Sequence, residues 1–220
     1  MPPDMPTRLI IFDLDGTLVD SREMILAVHR HIFTEHALPV PSEEAVMGLV
    51  GLSHREAFTG LVGMDGPIDS LIAAYKTRAW AFREAGLYLE TMFDGAAALI
   101  ADLRLRTDCR LAIATGKGRR GTDLILKQQG WTDAFSSIQT SDDSPSKPDP
   151  TMILRALADT AVEPADAVMI GDSVFDMQMA LAAGVTPIGV AWGHQPATRL
   201  HAAGAAIIAE HFTDLARLLR

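Results

Sequence analysis

The chain has 220 residues, 48% of them hydrophobic, and carries 19 Lys and Arg against 28 Asp and Glu for a formal charge of −9. That size suits one large domain or a core with a smaller insert, and the acidic balance excludes a broad phosphate-neutralising surface for nucleic acid, since no basic cluster extends beyond Arg119-Arg120. The lone cysteine, Cys109, excludes an internal disulfide and fits a reducing, cytoplasmic setting.

In chain order, residues 1–7 hold Pro2, Pro3 and Pro6 and lack the basic-then-apolar order of a signal peptide. No later stretch of about 18 apolar residues predicts a membrane span. Leu9-Ile10-Ile11-Phe12 is an apolar run rich in β-branched and aromatic residues, which predicts a strand buried on both faces. It stops at Asp13-Leu14-Asp15-Gly16-Thr17, so two carboxylates sit at a strand's carboxyl end, where open parallel sheets bind ligands. From Ser21, a candidate N-cap, Met24, Ile25, Val28, Ile32 and Phe33 recur at helical spacing to about residue 37. His29 and His36 share a face of that helix and His31 does not, so the three are expected to be packed or solvated rather than to bind metal. Further helical patterns cover residues 42–50, 53–62 and 67–85, separated by Pro39-Val40-Pro41, Gly51 and a glycine-containing stretch at 63–66. With no strand predicted there, residues 19–87 read as an all-helical insert, on the order of 70 residues, in a discontinuous core of 1–18 and 88–220.

After Asp94-Gly95 the pattern alternates. Apolar runs at 111–114, 135–139, 167–170 and 185–190 lie between helices expected near 95–106, 118–129, 150–159, 173–183, 196–203 and 211–219. This predicts an α/β fold, a Rossmann-like parallel sheet covered by helices on both faces. The runs end in polar elements: Thr115-Gly116-Lys117, suited to an oxyanion at a helix start, and Gly171-Asp172 with Asp176 four residues on. Between them Ser146-Lys147-Pro148 holds a lysine in a proline-stiffened turn. Taken singly these are helix caps, a solvated lysine and a carboxylate favoured by a helix dipole. Together they converge on one crevice. Asp13, Asp15 and Asp172 have the oxygen chemistry for a hard divalent cation, Mg²⁺ where a phosphate is also present, and Thr115, Gly116 and Lys147 suit the remaining phosphate oxygens. A carboxylate that attacks phosphorus divides a slow hydrolysis into two steps.

Asp13-x-Asp15-x-Thr17, Thr115, Lys147-Pro148 and Gly171-Asp172-x-x-x-Asp176 stand in the order found in the haloacid dehalogenase-like superfamily. The chain resembles its phosphoglycolate-phosphatase-type members, with a helical cap inserted after the first motif. The resemblance runs over essentially the whole length, through Ala183-Gly184-Val185 and Val190-Ala191-Trp192-Gly193. It implies Asp13 as nucleophile and Asp15 as general acid and base, with Thr115 and Lys147 binding the phosphoryl group. It further implies Mg²⁺ held by Asp13, the Asp15 backbone carbonyl and Asp172, with Asp176 beside the ion or as a ligand. The linkers 18–20 and 87–93 are then the expected hinges.

The second acid narrows the chemistry. In that superfamily dehalogenases lack it, because a halide leaves without a proton, whereas an alkoxide needs one. Phosphonate-cleaving relatives also lack it and use a cap lysine, so Lys76 is set aside. Mutases of the β-phosphoglucomutase type share it and carry a cap Gly-x-Ser followed by arginine; here Gly51-Leu52-Ser53 precedes His54 and Arg55, so Gly51, His54 and Arg55 are expected to read the leaving group. One departure is Gly116, where many such phosphatases carry Asn. The expected function is Mg²⁺-dependent hydrolysis of a small phosphorylated metabolite, phosphoglycolate foremost, by a cytoplasmic monomer or homodimer without nucleic-acid or membrane partners. The alternatives are a sugar-phosphate mutase and a catalytically silent binding protein on the same fold.

Overall fold

The computed structural model describes residues 8–220, so the reading of residues 1–7 lies outside it. The first half runs β1 (Arg8–Phe12), β2 (Val19–Asp20), α1 (Arg22–Glu35), α2 (Glu43–Met47), α3 (His54–Val62), α4 (Ile68–Glu84) and β3 (Thr91–Met92). The second alternates α5 (Ala96–Leu103), β4 (Cys109–Thr115), α6 (Arg119–Gln128), β5 (Ser137–Thr140), α7 (Thr151–Thr160), β6 (Ala167–Gly171), α8 (Val174–Ala182), β7 (Thr186–Val190), α9 (Ala197–Ala202), β8 (Ile207–Ala209) and α10 (Phe212–Leu218).

β1 is central because all of its side chains after Arg8 are apolar and need cover on both faces. Ile10 and Phe12 face one core layer, with Leu99, Ile113 and Phe212; Leu9 and Ile11 face the other, with Met152, Ile153 and Met179. Phe12 is fully buried, and truncating it to alanine would cost about 3–5 kcal/mol. The six strands are parallel in the order β5-β4-β1-β6-β7-β8. The chain winds outward from β1 through β4 to β5 and then returns to β6 on the other side of β1. That reversal opens a crevice at the strands' carboxyl ends. The α/β parallel sheet expected from the sequence is the fold observed.

Helices α1–α4 bury a separate apolar cluster that includes Met24, Val28, Ile32, Phe33, Phe58 and Leu71. Their connections to the sheet pair antiparallel, Val19 with Met92 and Asp20 with Thr91. This β2–β3 ribbon corrects the expectation that residues 19–87 hold no strand: two residues are too few for periodicity to register, and the pairing is made by segments far apart in sequence. β8 was also unforeseen, because a three-residue edge strand with Ile207 exposed carries little pattern. Ser21 stands at the N-cap of α1, but its hydroxyl makes no cap bond; Asp20 Oδ1 accepts from the Arg22 amide at 3.2 Å instead. No helix among the described residues is long and apolar enough to cross a membrane.

Candidate active site

β1, β4 and β6 lie side by side, so Asp13, Thr115 and Asp172 emerge at neighbouring strand ends. The turn after β1 closes tightly, with the Gly16 amide donating to Val19 O at 2.8 Å and Gly16 at φ +85°. A Cβ there would stand 2.1 Å from Asp172 Oδ2, so the site admits only glycine. Thr17 is buried; its hydroxyl lies 3.5 Å from Asp172 Oδ1, and its carbonyl accepts from Trp192 Nε1 at 2.9 Å.

Asp13, Asp172 and Asp176 are all at most 1% exposed, and each offers a carboxylate oxygen within 4.8 Å of the others. Lys147 is buried among them, its Nζ 3.0 Å from Asp13 Oδ2 and donating to Asp176 Oδ1 at 2.6 Å. One ammonium thus faces three carboxylates. Burial, opposed by Lys147 and assisted by the nearby Asp176 charge, pushes Asp13 up to about 7. Burial and the charges of Asp176 and Asp13 also raise Asp172 well above the usual carboxylate range. Asp13 Oδ2 has the Lys147 ammonium as its one close polar neighbour, and that contact is poorly aligned for a hydrogen bond. An oxygen-only donor set with excess negative charge fits a hard divalent cation such as Mg²⁺.

The members of the triad are not equally free to serve as ligands. Asp176 already accepts from Lys147 through Oδ1, and through Oδ2 from the Ser173 amide at 3.1 Å and hydroxyl at 2.6 Å, closing a capping box on α8. Asp172 Oδ2 accepts only from the His194 amide, at 2.7 Å.

Asp15 points elsewhere. Its two oxygens accept from Lys117 Nζ at 2.8 and 3.0 Å, and Lys117 also donates to Glu90 Oε1 at 2.7 Å. Although burial works against it, the Lys117 charge holds Asp15 below the usual carboxylate range. Glu90 in turn accepts from Arg83 Nε at 2.7 Å, so a chain of ion pairs runs from Asp15 to the end of α4. Lys117 and Glu90 were not among the expected site residues. Lys117 stands in the Thr115-Gly116-Lys117 strand end, but nothing in the sequence joins it to a glutamate 27 residues upstream.

Above this floor lies a cavity of about 300 Å³, bounded below by Asp13, Asp15, Thr115 and Gly116 and above by α1–α4. Gly51 and His54 line it; Lys147, Asp172 and Asp176 are buried beside Asp13 and do not. Arg55 is not brought to the cavity: its side chain is 60% exposed and pairs with Asp69 at 2.6 Å. The helical segment meets the sheet closely. The Ser53 amide donates to Ser146 Oγ at 2.8 Å, and a Cβ on Gly116 would come within 2.4 Å of Gly51 O and 2.6 Å of Leu52 O. His29, His31 and His36 each donate from Nδ1 to a carbonyl four residues back in α1, and the only metal-competent group among the described residues is the aspartate triad.

Residues 10–190 match the family model described as haloacid dehalogenase-like hydrolase. The tyrosine-protein kinase PtkA of Mycobacterium tuberculosis is 32% identical over 87% of the chain, which spans 65% of that kinase's length. The pyrophosphatase PpaX of Bacillus velezensis is 30% identical over 96% of each chain. A hydrolase from Pseudomonas syringae of known structure superposes with a TM-score of 0.85 at 25% identity, covering 97% of this chain and 98% of that one.

Proposed function

Because the chain belongs to the haloacid dehalogenase-like hydrolase family, we propose that it is a Mg²⁺-dependent phosphatase that hydrolyses a small phosphate monoester through an aspartyl phosphate on Asp13. The observation that carries this is the contrast between two acids two residues apart: Asp13 in a ring of buried carboxylates around Lys147, Asp15 in an ion pair at the cavity floor. In this reading Asp13 and Asp172, with the Asp15 carbonyl, hold the ion, and Asp176 acts mainly by holding Lys147. The bound ion would neutralise charge on the transferring phosphoryl group.

The ester phosphate enters with phosphorus over Asp13, its oxygens meeting the Thr115 hydroxyl, the Gly116 amide and the Lys147 ammonium. An Asp13 oxygen attacks phosphorus as the ester oxygen departs, and Asp15 gives that oxygen its proton. Asp15, left ionised, then takes a proton from the water that attacks the phosphoryl group and frees Asp13. Lys117 favours the ionised form and so suits the second step; the first requires the ion pair to loosen when the ester binds. Residues 19–87 act as the cap and residues 1–18 and 88–220 as the core, with closure excluding water from the first step.

The test is release of phosphate from a panel of esters with and without Mg²⁺, with Asp13→Asn as control. Turnover that needs both the ion and Asp13 supports the reading. Absence of turnover on every ester would sink it, and product with the phosphoryl group on another organic acceptor would identify a transferase or mutase.

A further inference from the structure

The cavity walls describe the group that Asp13 releases. We propose that the alcohol of the substrate carries an apolar body of several carbon atoms, seated among α1–α4, rather than a two-carbon acid. This deepens the phosphatase reading and rests on it.

Three observations carry it. The cavity, about 300 Å³ with the phosphoryl site at its floor included, has room for roughly ten waters at about 30 Å³ each, more than a phosphate and a glycolate together fill. Its walls away from the floor include Ile25, Val46, Leu49, Phe58, Leu61 and Ala79, drawn from α1, the α2 region, α3 and α4, with the rings of His29, His54, Tyr75 and Trp80 beside them. Water held against such walls is displaced at a gain by an apolar group. The imidazoles beside them add no charge: His54 packs tilted against Tyr75 with ring centroids 4.5 Å apart, burial and nearby cations push it down to about 4, and burial holds His29 below the usual histidine range.

The cations around the cavity are placed so as to leave these walls apolar. Lys117 and Arg83 are engaged by Asp15 and Glu90 at the floor. Lys76 and Arg120 are exposed at the rim, Lys76 facing Asp142 at 3.8 Å and Arg120 lying 3.6 Å over the Trp80 ring. Charge is therefore confined to the reacting end and the mouth. Between floor and mouth a second anionic group would meet apolar side chains, the cations without a close acid partner being Lys76 and Arg120 at the mouth.

The experiment compares kcat/KM, with Mg²⁺, for primary n-alkyl phosphates from ethyl to hexyl and for phosphoglycolate. Leaving-group basicity changes little along the alkyl series, so the trend reports chain burial. The expected result is a rise of roughly fourfold per methylene, on the order of 10²-fold from ethyl to hexyl, with phosphoglycolate no better than ethyl phosphate. A flat or falling series, or phosphoglycolate above hexyl phosphate, overturns this inference and leaves the phosphatase reading standing. No turnover of any ester overturns both. Ala57→Leu puts bulk into the same space and should bring the hexyl-to-ethyl ratio towards one. That ratio is independent of how much of the variant folds, and an unchanged ratio would overturn the placement of the chain in this cavity.

Discussion

Asp13 and Asp15 differ in environment more than their spacing allows one to foresee. Asp13 faces two carboxylates and Lys147, and Asp15 is clamped by Lys117. Lys117 is therefore assigned a positioning role, because it fixes the Asp15 carboxylate at the cavity floor without belonging to the aspartate ring. Lys117→Met should lower kcat roughly 10- to 100-fold, within the range general acid–base groups contribute, while KM changes little; Lys117→Arg should recover part of the loss. A fall confined to KM, or no rescue by arginine, contradicts that role. Asp13, Thr115, Lys147 and Asp172 could be picked out from the sequence because each stands immediately after an apolar run or in a proline-marked turn. Lys117 stands there too, but its meaning depends on Glu90, which reaches it from a linker without periodic pattern. Arg55 was misplaced for the converse reason: on the first turn of α3 it lies next to His54 in sequence, yet it projects to solvent and Asp69.

At the level of elements, the loop between α2 and α3 rests on the end of β4. Gly116 lies under the Gly51 and Leu52 carbonyls, so the residue that departs from the asparagine of many related phosphatases is the one this contact requires. Gly116→Asn should push the loop off the strand end and lower kcat/KM by about tenfold to a hundredfold, as small displacements of a catalytic wall do. Unchanged kinetics would show that the loop gives way freely. The long elements were legible because β1 is uniformly apolar and α1 repeats its apolar positions at helical spacing. The β2–β3 ribbon and β8 were not, since two- and three-residue strands exist through pairing rather than local preference. The ribbon ties both connections of the helical segment together where the hinges were expected.

Across the whole molecule, three buried carboxylates around one lysine are an electrostatic burden unless a cation joins them. Mg²⁺ at about 100 times its Kd should raise stability by about 2.7 kcal/mol, or roughly 5–10 °C in Tm for a chain of this size. Asp172→Asn should abolish that response and raise the metal-free Tm, since it removes one of the repelling charges. The same Mg²⁺ shift in the variant would place the ion elsewhere. The parallel sheet whose strand ends gather the triad was legible in the alternation of apolar runs and helices, its strand order was not, and the apolar character of the cavity appears only when four helices with separate patterns are brought over the strand ends.

The central claim is that Asp13 forms the bond to phosphorus, and the direct measurement is rapid acid quenching of the enzyme during Mg²⁺-supported turnover, followed by mass spectrometry of its peptides. The account predicts a phosphoryl group on the peptide carrying Asp13, none on Asp13→Asn, and loss of hydrolysis in that variant. Hydrolysis by Asp13→Asn at the wild-type rate, with no phosphorylated peptide in either protein, would contradict it.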